Sequence, residues 1–142
     1  MTDEPLNPAS RPAADAVGRE PVVTAGAPQP AGAYSQGLVA GGLLHTAGFG
    51  PQDPATGRVP EGIGEQTRQV LRNVGAVLAA RGLSFAHVVK VTVHLAELHR
   101  DFGEFDAAYR EFVTPPYPVR TTVGSELMDI LVEIDVVAAV PE

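Results

Sequence analysis

Arg120 stands in the segment Tyr117-Pro118-Val119-Arg120-Thr121-Thr122-Val123, where Val119, Thr121 and Val123 alternate with Arg120 and Thr122. A guanidinium on such a β-branched strand is costly to bury alone and needs an acidic partner or an anionic ligand. Its planar fork grips a carboxylate through two parallel hydrogen bonds, so a small carboxylic acid is one natural ligand. An ordinary ion pair with Asp or Glu is the other reading. Further on, Leu131-Val132-Glu133-Ile134-Asp135-Val136-Val137 places Val132, Ile134 and Val136 on one strand face and Glu133 and Asp135 on the other. Two carboxylates so placed form a solvated edge, or they set one acid in a cleft where partial desolvation raises its pKa toward acid–base work.

Other chemistries lack their residues. The chain has no cysteine, which removes disulfides, thiolate nucleophiles and Cys-rich zinc sites. His45, His87, His94 and His99 form no i,i+4 helical pair and no HExxH, so no metal is expected. There is no GxSxG nucleophile elbow and no Walker loop, and Gly48-Phe49-Gly50 runs into a Pro-rich turn instead of opening a dinucleotide-binding helix. The net charge is −7, and the basic residues, nine Arg and Lys90, are scattered. Such a chain repels phosphate backbones, so nucleic acid is not an expected partner. No apolar run approaches the roughly 18 residues of a membrane span, and the N-terminus lacks a basic-then-apolar leader. The expected setting is the cytoplasm.

These residues need a scaffold, and 142 residues with 44% hydrophobic and 19% charged content suffice for one domain. Residues 1–32 hold 7 Ala and 6 Pro, and the first aromatic is Tyr34. Residues 1–20 therefore read as a mobile tail and 21–142 as the domain. A short strand is expected at Pro21–Thr24, and a hairpin at 37–47 turning at Gly41-Gly42. Ile63, Thr67, Val70, Leu71, Val74, Val77 and Leu78 form one helical stripe within 61–81, with Gly82 as its cap. Residues 87–95 alternate Val89, Val91, Val93 and Leu95 against Lys90, Thr92 and His94, as a strand with one buried face does. Phe102, Phe105, Tyr109 and Phe112 predict a second helix over 101–113, and strands follow near 118–125 and 130–140. The order β-β-α-β-α-β-β, with both helices on one face of a mixed sheet, is a two-layer α+β sandwich. The other face, with Lys90, Thr92 and His94, meets water or another copy.

Gly32-Ala33-Tyr34-Ser35-Gln36, Thr46-Ala47-Gly48, Gln66-Thr67-Arg68-Gln69-Val70-Leu71-Asn73, Val88-Val89-Lys90-Val91-Thr92-Val93, Tyr117-Pro118-Val119-Arg120-Thr121 and Val132-Glu133-Ile134 occur in this order. Together they resemble the reactive intermediate deaminases, the RidA/YjgF family also called L-PSP endoribonucleases. The resemblance covers roughly 22–140. It implies a chorismate-mutase-like fold, a homotrimer with clefts between subunits, and hydrolysis of 2-imino or 2-enamino acids to 2-oxo acids and ammonia without metal or cofactor. It also implies that Arg120 holds the substrate carboxylate and that Glu133 handles the attacking water. Tyr34, from a neighbouring subunit, shapes the pocket, and Ala47, Gly48, Phe49 and the Thr122 backbone contact substrate.

The sequence departs from the family pattern in several places. Ala47-Gly48-Phe49 replaces a frequent Ser-Gly-Gln, which brings an apolar ring to the expected rim and with it a preference for larger apolar side chains. The stretch from Arg120 to Glu133 is about two residues shorter, Gly124 and Ser125 replace bulkier residues, and Asp106 stands where Asn is common. These features suggest a divergent subfamily. The alternative function is a non-catalytic trimer that binds a small carboxylate or a partner protein. A ribonuclease role is opposed by the acidic charge.

Overall fold

Gly41 and Gly42 both adopt positive φ, 59° and 77°, and fold the chain back tightly between strands β2 (Gly37–Ala40) and β3 (Leu43–Thr46). The computed structural model describes residues 18–142, so the expected tail lies for the most part outside the described residues. Strand β1 (Glu20–Val22) pairs antiparallel with β2, and the expected boundary after residue 20 falls inside that strand.

Helix α1 (Ile63–Ala79) buries Val70, Leu71, Val74, Val77 and Leu78, as its stripe predicts. It ends in two reciprocal bonds, Gly82 N–H to the Ala79 carbonyl and Leu83 N–H to the Leu78 carbonyl, both 2.9 Å, with Gly82 at φ 69°. This is the closure that a left-handed glycine permits. Strand β4 (Val88–Leu95) follows, then helix α2 (Leu98–Tyr109), β5 (Val119–Gly124) and β6 (Val132–Ala139).

The six strands lie in the order β1-β2-β3-β6-β4-β5. Only β4 and β5 run parallel, joined by the α2 crossover, so the sheet is mixed. Val91, Val93 and Leu95 of β4 pair with Val136, Ile134 and Val132 of β6, and all six are buried under the helices. Both helices therefore share one face, and the architecture is the two-layer α+β sandwich that the sequence implies.

Two expectations change. Val89 is 46% exposed instead of buried, because pairing slips between Val88 and Lys90. A bulge there leaves Val88 on the buried side and turns Val89 out. Helix α2 begins three residues earlier than expected and ends at Tyr109, where i→i+3 bonds from Glu111 and Phe112 tighten the last turn. Phe112 lies beyond the helix and packs edge-on against Phe85, with ring centroids 5.8 Å apart. Phe102 is partly exposed, so the aromatic spacing marks a wider packing surface than the helix alone.

Candidate functional site

Glu133 sits on β6 opposite His94, on the sheet face away from the helices. It lines a cavity of about 550 Å³ together with Tyr34, Gly48, Phe49, Met128 and Ile130. Three buried amides hold the loops around it. Gln36 accepts from the Thr24 N–H at 2.8 Å and donates to the Thr24 and Pro28 carbonyls at 3.0 and 2.9 Å, which shapes the loop that carries Tyr34. Asn73 donates to the Gly50 and Gln52 carbonyls at 3.0 and 2.9 Å. Gln66 donates to the Pro60 carbonyl at 3.0 Å and accepts from the Leu131 N–H at 2.8 Å, two residues from Glu133. The sequence reading gave these three side chains no role. Gln66 and Asn73 flank the apolar stripe of the helix, and Asn73, expected off that stripe, is buried all the same, where a polar group must find partners.

Phe49 pairs with Ile134 through two backbone bonds, 2.9 and 3.1 Å, and this bridge aligns residues 48–50 beside Glu133. A Cβ on Gly48 would fall 2.9 Å from the Glu133 carboxyl carbon, so the close approach of loop and carboxylate requires glycine. The expected apolar ring at the rim is corrected here. Phe49 is 4% exposed and belongs to the core, because its pairing with Ile134 places its side chain on the helix-facing side. The apolar wall comes instead from Leu127, Met128 and Ile130, with Met128 91% exposed. Ala47 is partly buried against the core and spends its N–H on the Gln36 carbonyl at 3.0 Å, outside the cavity lining. The Tyr34 hydroxyl accepts from the Ala31 N–H at 2.9 Å, which fixes an otherwise exposed ring.

Arg120 is elsewhere. It pairs with Val91, and Thr122 with Val93, so both occupy the helix-facing side of the edge strand β5. Arg120 Nη1 donates to Asp106 Oδ1 at 2.7 Å, each side chain being 21% exposed. Its guanidinium lies 4.8 Å from the Tyr109 ring centroid, with Phe105 and Phe102 at 5.4 and 5.7 Å, which favours a cation. Among the described residues its other N–H groups make no hydrogen bond. Arg120 lines a cavity of about 290 Å³ with Asp106, Tyr109, Arg110, Tyr117 and Pro118. Burial would raise the Asp106 carboxyl, but hydrogen bonds and charges from Arg120 and Arg110 outweigh it and hold the group below its ordinary value.

The structure thus brings Tyr34, Gly48, Phe49 and Glu133 together and leaves Arg120 and Thr122 apart. Strand β4 lies between β5 and β6, and neighbouring strands are spaced roughly 5 Å. With side chains on opposite faces, Arg120 and Glu133 of one protomer cannot hold one small molecule. The ion-pair reading of Arg120 is met by Asp106, a partner brought close by α2 packing on the sheet, and not by Glu133. Among the described residues no group of three or more His, Cys, Asp or Glu is arranged to hold a metal ion. No helix there is long and apolar enough to cross a membrane.

Comparison with known proteins defines the class. Residues 24–140 match the family model described as endoribonuclease L-PSP. The chain belongs to this family, known also as RidA/YjgF. A RutC family protein of Pyrococcus horikoshii is 42% identical over 123 residues, covering 84% of this chain and 97% of its own. A 2-iminobutanoate/2-iminopropanoate deaminase of Salmonella typhimurium is 37% identical over 122 residues, covering 82% and 94%. The crystal structure of E. coli TdcF with bound serine superposes with a TM-score of 0.80 at 32% identity, covering 86% of this chain and 99% of that one.

Proposed function

We propose that this protein hydrolyses reactive 2-imino and 2-enamino acids to 2-oxo acids and ammonia, at sites formed between copies in a homotrimer. The observation that carries the reading is Arg120, a half-buried guanidinium that lines a small cavity and, among the described residues, spends one donor on a carboxylate. The deaminase named among the relatives and the amino acid bound to TdcF supply the ligand chemistry, a carboxylate with nitrogen on the adjacent carbon. In this reading Arg120 of one copy holds the carboxylate, with the Thr122 backbone alongside. Tyr34, Gly48 and Glu133 of the next copy close over the imine carbon. Glu133 orients a water and takes its proton as the oxygen adds to the C=N carbon. That proton passes to nitrogen and completes the carbinolamine; a second proton then moves from its hydroxyl to the amino group through Glu133, the C=O forms as the C–N bond breaks, and ammonia leaves a 2-oxo acid. Proximity and proton transfer suffice because the imine is already electrophilic. A cytoplasmic setting belongs to the same reading.

The separation of Arg120 from Glu133 also favours a second reading, in which the Arg120 cavity binds a small carboxylate without turnover, or the trimer docks on a partner. The endoribonuclease activity in the family description is not carried over. Among the described residues, Arg68, Arg81, Arg100 and Arg110 sit in ion pairs with carboxylates, and the net charge is −7. The deciding experiment generates an imine with an amino-acid oxidase or a dehydratase in the presence of semicarbazide. Purified protein should divert the imine from semicarbazone to free 2-oxo acid. An unchanged semicarbazone yield leaves the binding reading.

A further inference from the structure

Asp106 divides its two oxygens between two cations. Oδ1 accepts from Arg120 Nη1 at 2.7 Å and Oδ2 accepts from Arg110 Nε at 3.1 Å. All three side chains line the 290 Å³ cavity, whose remaining walls are Tyr109, Val113, Tyr117 and Pro118. Two guanidiniums against one carboxylate leave a single uncompensated positive charge. Asp106 alone would neutralise Arg120 and leave little attraction for an anion, and Arg110 restores it. One incoming carboxylate brings the cluster to neutrality. A second carboxylate on the same ligand would find no third cation in the lining and would face Asp106. The Asp106 carboxyl is held below its ordinary value, so it is ionised at neutral pH.

We propose that Arg120, Asp106 and Arg110 form a charge-matched site that selects monocarboxylic substrates over dicarboxylic ones, with Asp106 setting the selectivity and Arg110 keeping the clamp cationic. The inference rests on the reading of Arg120 given above and extends it to the substrate class, imino acids with uncharged side chains. In that assembly the Glu133 carboxylate of the neighbouring copy opposes a second ligand charge further. Arg110 is a positioning residue, and its exposed stem gives it a screened effect.

Titration calorimetry with 2-oxobutanoate and 2-oxoglutarate, on wild type, Asp106→Asn, Arg110→Gln and Arg120→Ala, tests this. Wild type should bind the monocarboxylate about five- to tenfold more tightly, the size of one like-charge contact at about 4 Å when water screens it fully. Asp106→Asn, which keeps shape and loses charge, should narrow that ratio at least severalfold while the protein stays folded. Arg110→Gln should weaken 2-oxobutanoate binding by about threefold at low salt, and the loss should fade at high salt. An unchanged ratio in Asp106→Asn, or no effect of Arg110→Gln at low salt, with binding abolished by Arg120→Ala, overturns this inference alone. Unaltered binding in Arg120→Ala overturns the proposed clamp and this inference with it.

Discussion

At the scale of single residues, the position of the Glu133 carboxylate is constrained by its contact with Gly48. A Cβ at position 48 would press on the carboxyl carbon at 2.9 Å and on Oε2 at 3.0 Å. Gly48→Ala should therefore displace the Glu133 carboxylate and lower turnover by about tenfold or more, while melting temperature changes little. Matched kinetics and thermal denaturation check this, and full activity in Gly48→Ala would show that Glu133 position is immaterial. Arg120→Lys should fail nearly as badly as Arg120→Ala, because an ammonium cannot reproduce the planar fork; the expected loss is about one to two powers of ten. Glu133→Gln should keep affinity for a 2-oxo acid and lose turnover, which stopped assays beside calorimetry will separate. Arg120 and Glu133 stand out in the sequence as candidates because a charge on a β-branched strand demands an explanation. Asp106 was not legible as the partner, since 14 residues of chain separate it from Arg120 and only packing of α2 joins them. The Phe49 ring was misplaced because a residue between two glycines gives no parity. Its pairing with Ile134 decides its direction.

At the scale of elements, the site depends on loops fixed by buried amides. Asn73→Ala leaves the Gly50 and Gln52 carbonyls without their donor and should cost about 1–3 kcal/mol of stability. Turnover should fall further than the stability loss explains, because residues 48–52 border Glu133. Denaturant titration and kinetics together measure both. Helix α1 was legible because its apolar period is long and its cap glycine stands where closure needs it. The β4 bulge was not, because slipping one residue leaves the alternation in the sequence untouched. The same sheet carries a pH-sensitive group. Desolvation raises the Asp135 carboxyl despite the opposing charges of His94 and Lys90. A carboxyl raised in the folded state favours folding below its unfolded value, and that contribution is lost as pH rises through the folded value. Asp135→Asn should therefore be more stable than wild type near pH 7 and about equal to it near pH 3, as melting temperatures across that range will show. Lower stability at pH 7 would mean that another copy supplies Asp135 with a cation.

At the scale of the whole molecule, one sheet face is covered by helices and, among the described residues, no helix covers the other. That second face carries Leu38, Leu43 and Val137 beside Lys90, Thr92, His94 and Asp135, and the edge strand β5 adds exposed Val119 and Val123. Such a face is too apolar to be left to water and too polar for a dry core, which suits contact between copies. Light scattering should give a trimer mass at micromolar concentration. The proposed assembly makes a stricter demand, because each site takes Arg120 from one copy and Glu133 from another. Co-expression of Arg120→Ala and Glu133→Gln chains tests it most directly. Each variant alone should be nearly inactive, whereas randomly mixed assemblies should regain about one quarter of wild-type turnover, since a site is intact when both of its contributors happen to be the unaltered ones. Mixed assemblies no more active than the separate variants would contradict the account.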